Sequence, residues 1–184
     1  MQSSDDTSRE SGDTGSGDRP TNRPSPASHD GAARVFLVVV DDSEEMNVAL
    51  RFACQRAKHT GGRVALFRAV EPVEFQHWMG VGELMREEAR AEAEALMERM
   101  SEQVHDISGA IPVVYIREGP VREELMKLID EETQISILVL GAASGTDGPG
   151  PLVNYLSTKG ASSLAIPITI VPGTLTDEQI DMLT

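Results

Sequence analysis

The chain has 184 residues, 40% of them hydrophobic, which suffices for about one domain with one packed core. Lys and Arg number 16 against 30 Asp and Glu, a formal net charge of −14, so binding to nucleic acid or to an anionic membrane surface is disfavoured, and no basic stripe is present to neutralise phosphates along a duplex. The single cysteine, Cys54, excludes an internal disulfide, and no apolar run has the form of a signal peptide or a bilayer span, so a cytoplasmic protein is expected.

Residues 1–33 are rich in Ser, Asp, Gly, Pro, Thr and Arg and nearly lack large apolar side chains. Such a segment cannot bury enough surface to offset its ordering entropy, and a disordered, acidic tail is expected there. Order is expected from Arg34. Val35 to Val40 form a β-branched run suited to a parallel strand buried on both faces. Asp41 and Asp42 end it. Ser43 is a good N-cap, and Glu44 and Glu45 suit the first helical turn. Met46, Ala49, Leu50, Ala53, Cys54 and Ala57 recur at helical spacing, which predicts a helix to about His59, stopped by Gly61-Gly62. Cys54 on that face reads as a buried small hydrophobe rather than a reactive thiol.

Arg63 to Val70 read as a second strand, and Glu71 to Gly82 as a long loop carrying Phe75, His77, Trp78 and Met79. That loop holds the only Trp of an aromatic-poor chain. It reads either as an apolar lid or docking knob, or as local packing against the next helix. Glu83 to about Val104 predict a charged helix with an apolar stripe including Leu84, Ala91, Ala95 and Met100. Ile111 to Ile116 predict a third strand. Gly119-Pro120 open a third helix, with Pro at its first position and Leu125, Leu128 and Ile129 facing inward.

A fourth strand, Ile135 to Leu140, feeds the glycine-rich turn from Gly141 to Gly150. A short helical segment, Pro151 to about Lys159, and a fifth strand, Ile168 to Val171, follow. Thr176 and Gln179 have the spacing of a capping box for a short C-terminal helix over 174–184, carrying Ile180 and Leu183. A strand feeding a glycine-rich turn and a helix can turn backbone N–H groups toward a phosphate. Strands alternating with helices imply right-handed crossovers and a doubly wound α/β fold, a parallel sheet between two helical layers. Such sheets bind ligands beyond the carboxyl ends of their strands, at the topological switch point.

Val39-Val40-Asp41-Asp42-Ser43, the long segment after the second strand, the Leu138-Val139-Leu140-Gly141 ending and the closing Ile166-Pro167-Ile168-Thr169-Ile170-Val171-Pro172 together resemble the universal stress protein family over about residues 34–173. The resemblance implies a three-layer sandwich of the adenine nucleotide alpha-hydrolase-like type, with a five-stranded parallel sheet in the order 3-2-1-4-5. It also implies a homodimer built on the last edge strand, here Ile168, Thr169, Ile170 and Val171. ATP-binding members carry G-x2-G-x9-G-[ST] after the fourth strand. In the register from Gly141 the second glycine position is Ser144, and the last two are Asn154 and Tyr155. From Gly145, Gly148 fits but the third position is Thr158, and Gly160 is followed by Ala161. No register completes the motif. Asp41 matches the acidic residue of nucleotide-binding members; it can accept from a ribose or an adenine amino group, or serve only to end the strand and help Ser43 cap the helix. Ser43, Gly141, Ser144 and Gly145 join Asp41 as candidate nucleotide contacts; Ser144 and Gly145 can offer an oxygen and an amide to a phosphate, and Gly141 matches the family position or only forms a tight turn. Pro149 and Pro151 remove two N–H donors from the cradle.

The four histidines are scattered, and no H-E-x-x-H, C-x-x-C, G-x-S-x-G, Walker or S-G-G-x-D-S pattern occurs. Neither a catalytic set nor a metal site is expected. The resulting expectation is a dimeric, non-enzymatic stress-response or regulatory module with weak or absent ATP binding and an unidentified regulatory protein partner. The alternative is a switch that binds, and slowly hydrolyses, ATP or another adenine nucleotide with Mg²⁺ through the altered turn.

Overall fold

The structure, a computed structural model, describes residues 33–71, 79–145, 148–160 and 164–184. The expected tail, the aromatic residues Phe75, His77 and Trp78, and Thr146 and Asp147 of the glycine-rich turn lie outside the described residues. Strands β1 (Val35–Val39), β2 (Arg63–Val70), β3 (Val113–Glu118), β4 (Ile135–Ala142) and β5 (Ile168–Pro172) form one sheet in the order β3-β2-β1-β4-β5. All four pairings are parallel. Parallel pairing requires a crossover between strands, and helices α1 (Glu44–Thr60), α2 (Met79–Ser108), α3 (Val121–Glu131) and α4 (Pro151–Tyr155) supply it. A last helix, α5 (Asp177–Leu183), lies against α1.

The sheet is buried on both faces, which is why β1 reads as an unbroken apolar run. Phe36 and Val38 pack with Ala49, Leu50, Ala53 and Cys54 of α1 and with Leu96 and Met97 of α2. Leu37 packs on the other side with Leu125, Leu128 and Ile129 of α3 and Val153 of α4. All six apolar residues predicted for the inner face of α1 are buried. Burial pushes the Cys54 thiol up to about 12, against a small opposing pull from Arg51, so the group is a neutral core side chain.

Several boundaries differ from the sequence reading. Helix α2 begins at Met79, not Glu83, and runs to Ser108. Gly82 reads as loop from the sequence, but in a helix it costs only about 1 kcal/mol relative to Ala, less than the rest of the helix gains. The stop is Gly109, with φ 75° and its N–H donating to the His105 carbonyl. The buried stripe is Ala93, Leu96, Met97 and Val104, with Met100 and Ile107 half-buried against the same core. Leu84 is 57% exposed and Ala91 and Ala95 are exposed, so an anchor on Leu84 misplaces the face. Strand β3 starts at Val113 rather than Ile111, because Gly109 to Pro112 complete the turn and pairing begins at Val113 opposite Ala65. Pro120 occupies the N-cap of α3, one position before its expected place. The short segment after β4 holds α-geometry only to Tyr155 and then widens into a π turn over Leu156–Gly160. The capping box of α5 is present in both halves, Thr176 with Gln179.

Candidate functional site

The order β3-β2-β1-β4-β5 puts the switch point between β1 and β4, whose connections leave toward opposite faces. Two strand-to-helix turns meet there. The first runs from Val40 to Ser43. Asp41 Oδ1 accepts from the Ser43 N–H at 2.9 Å and from the Ser43 hydroxyl at 2.5 Å. The Ser43 hydroxyl in turn accepts from the Met46 N–H at 3.3 Å and caps α1. Asp41 and Ser43 are thus brought together as a local capping unit. Asp41 Oδ2 takes no hydrogen bond from any described residue.

A residue the sequence reading missed fixes this turn from below. Arg68 of β2 donates to the Val40 carbonyl at 3.2 Å and to Asp42 Oδ2 at 3.0 Å. The consecutive aspartates are therefore divided, Asp41 toward the α1 cap and Asp42 toward Arg68. The available signal was an arginine inside a strand otherwise buried, since such a charge needs partners.

The second turn follows β4. Gly141 is still in the strand, and a Cβ there would overlap the Glu45 carbonyl in the first turn of α1. Its missing side chain permits the close approach of α1 to β4. Gly173 does the same at the end of β5, where a Cβ would stand 2.8 Å from Glu45 Cβ. Ser144 and Gly145 lie exposed beyond the strand, and a Cβ at Gly145 would meet nothing. The Ala143 N–H donates to the Pro149 carbonyl at 3.3 Å, folding the turn back on itself. Gly148 and Gly150 have φ 91° and 103°, and Gly150 caps α4 with no side-chain bond. Pro149 and Pro151 carry no N–H.

A cavity of about 450 Å³ opens beside Asp42, on the α1/α2 face. Arg68, Glu71, Glu92, Leu96 and Arg99 line it, and Gly141, Ser144 and Gly145 do not. On the opposite face the Arg122 guanidinium, in the first turn of α3, lies 4.9 Å from the centre of the Tyr155 ring of α4. Of the expected edge residues, Ile170 is 42% exposed, Ile168 and Thr169 are half-buried, and Val171 faces the core. Strand β5 ends the sheet, paired with β4 alone among the described residues. Among them, too, no cluster of three or more His, Cys, Asp or Glu could hold a metal ion, and no helix is long and apolar enough to cross a membrane.

The universal stress protein family model matches residues 33–172. No curated protein sequence matches the chain significantly. Among solved structures, the universal stress protein UspA from Lactobacillus plantarum is 17% identical, with a TM-score of 0.64, covering 75% of this chain and 97% of its own. A universal stress protein from Archaeoglobus fulgidus, solved in complex with dAMP, is 16% identical over 75% of this chain and 96% of its own, with a TM-score of 0.53. A universal stress protein family member from Arabidopsis thaliana, solved with AMP bound, is 16% identical over 79% and 94%, with a TM-score of 0.56. At these identities the structures establish the shared fold, and the family match spans most of the chain. This chain belongs to the universal stress protein family.

Proposed function

We propose that the chain is a non-enzymatic regulatory module, dimeric through the β5 edge and cytoplasmic, with weak or absent ATP binding. One observation carries this reading. The Gly141–Gly150 turn and the start of α4 turn their own groups inward: Gly141 stands against Glu45, the Ala143 N–H donates to the Pro149 carbonyl, and Pro149 and Pro151 carry no N–H. A triphosphate cradle needs several convergent N–H donors, and Ala143, Pro149 and Pro151 are withdrawn from that set. The hydroxyl–carboxylate pair at the site, Ser43 on Asp41, is engaged in capping α1, which supports a non-enzymatic reading. The exposed Ile170 on an end strand supports pairing with a second copy. The domain is taken as residues 34–173, with 174–184 as an appended helix and 1–33 as a tail. Calorimetric titration with Mg-ATP tests the central point, and sedimentation of Ile170→Asp against the parent tests the edge.

A second reading, an adenine-nucleotide switch, is favoured by the placement of Asp41. It stands at the end of β1, beside β4, with one carboxylate oxygen held by Ser43 and Oδ2 unbonded to any described residue. Related structures hold AMP and dAMP, which bring one phosphate rather than three. In this reading Asp41 takes the nucleoside, and Ser144 and Gly145 lie near its phosphate. Asp41→Ala then weakens AMP binding; unchanged affinity in that variant counts against the reading.

A further inference from the structure

The cavity of about 450 Å³ beside Asp42 is separate from the candidate nucleotide contacts: Asp41, Ser43, Gly141, Ser144 and Gly145 do not line it. One side is the end of β2, Arg68 to Val70, and the other is a face of α2 that includes Ala89, Ala93 and Leu96. The sequence explains the gap. Farther along α2, Met97, Met100 and Val104 pack on the core, whereas Ala93 and Ala89, one and two turns earlier, are too short to fill the space over β2. A void of this size lies within the usual range of small-ligand sites, about 300–1,000 Å³.

Some of the charges lining the cavity are already engaged. Arg68 and Asp42 pair with each other, and Glu71 Oε1 accepts from the Val121 N–H at 3.4 Å. Glu92 and Arg99 remain, both lining the cavity and both exposed. Neither has an ion-pair partner among the described residues; Arg99 gives one N–H to the Ala95 carbonyl of its own helix at 3.2 Å. Seven residues apart on one helix, they share a face at a separation of about 10.5 Å along the axis. Ala95 and Leu96 lie between them on the cavity wall. Helix α2 thus holds one free anion and one free cation at a fixed spacing, with an apolar strip between. A lone anion would meet Arg99 but also Glu92, and a lone cation the reverse. A ligand positive at one end and negative at the other satisfies both.

We propose that this cavity binds a short peptide with free termini, its ammonium on Glu92 and its carboxylate on Arg99. An extended chain rises about 3.3 Å per residue, so about three residues span the gap. The planar guanidinium suits the terminal carboxylate as a fork of donors. Ala93, Ala95 and Leu96 favour small or apolar side chains in the ligand over charged ones. The site stands whether or not the Asp41 turn takes a nucleotide.

The test is an NMR titration of the full chain with tri-alanine, its N-acetylated form and its C-terminal amide, for the parent, Glu92→Gln and Arg99→Met. Both residues are exposed, so neither substitution should disturb folding. Tri-alanine should shift the amide signals of Ala93, Ala95 and Leu96 saturably. Blocking either terminus should weaken binding about tenfold, as for loss of a charged hydrogen bond. Glu92→Gln should lower tri-alanine to the level of the acetylated peptide and remove the effect of acetylation. Arg99→Met should do the same for the amide. Absence of a saturable shift in the parent with ~10 mM tri-alanine overturns the proposal. So does equal affinity of the parent for all three peptides. An effect of acetylation that survives Glu92→Gln, or of amidation that survives Arg99→Met, overturns the assigned contacts and the proposal with them.

Discussion

The turn after β1 and the turn after β4 lie side by side at one sheet edge, yet they are built by opposite means. The first is over-determined. Asp41 holds Ser43, Ser43 caps α1, and Arg68 ties down the Val40 carbonyl and Asp42. The helix it starts runs 17 residues and ends in a left-handed glycine cap at Gly61. The second has no side-chain cap, two glycines at positive φ, and a five-residue helix that widens into a π turn. The candidate site is therefore fixed on the β1 side and has room to vary on the β4 side. The first turn fixes Asp41 in place; the second lacks the full G-x2-G-x9-G-[ST] spacing.

The two turns touch at Gly141, and this is where substitution should do the most damage. Gly141→Val drives a branched side chain into the Glu45 backbone, and a loss of about 4 kcal/mol or failure to fold is expected. Gly145→Ala, in the open part of the same segment, should change stability by less than about 0.5 kcal/mol. Equal losses in denaturant melts of the two variants would erase the distinction between the turns.

Helix α1 is also held from outside by α5. Ile180 is fully buried, and Arg51 pairs with Asp177 at 3.2 Å and Asp181 at 2.9 Å. Ile180→Ala should cost about 3 kcal/mol through the cavity it leaves, whereas the exposed pairs should contribute less than about 1 kcal/mol and fade with salt. If truncation after Gly173 leaves the melting curve unchanged, α5 does not support α1.

Cys54, on the inner face of α1, gives a pH signature. Its folded value of about 12 lies above the unfolded value near 9.0, so the buried neutral thiol contributes stability below pH 9. That contribution is lost as pH rises from 9 toward 12, because the unfolded chain releases the proton first. Cys54→Ala should lessen the slope of stability in that window; an identical slope would assign it to other groups.

The capping unit itself comes next in size. Ser43→Ala should cost about 1 kcal/mol, and Arg68→Met a similar amount or less, with faster exchange of the Ser43 amide as the specific readout. Thr158→Ala, in the π turn after the loose helix, should be close to neutral. A Ser43→Ala variant as stable as the parent would mean that the first turn is held by packing alone.

Much of this was legible in the sequence because the signals were local. The inner face of α1, the Ser43 cap and the Thr176–Gln179 capping box each follow from spacing within a few residues, and all are present. The resemblance carried the strand order, which no periodicity encodes, and the sheet has that order. The face of α2 was misjudged because its small residues, Ala91, Ala93 and Ala95, look alike to a pattern, and only the packed neighbours choose among them. In the site, Asp41 and Gly141 could be named, but the packing duty of Gly141 depends on Glu45, 96 positions earlier in the chain. Arg68 and Arg122 escaped notice for the same reason: each acts on a residue from another element, Val40 and Tyr155.

The most direct test of the account is calorimetric titration of the purified chain with Mg-ATP, followed by an assay for phosphate release. The expected result is ATP affinity weaker than about 100 μM, worth roughly 5.5 kcal/mol or less, and no turnover. Micromolar ATP affinity with sustained phosphate release would contradict it, and would make the Gly141–Gly150 turn a working variant of the phosphate cradle.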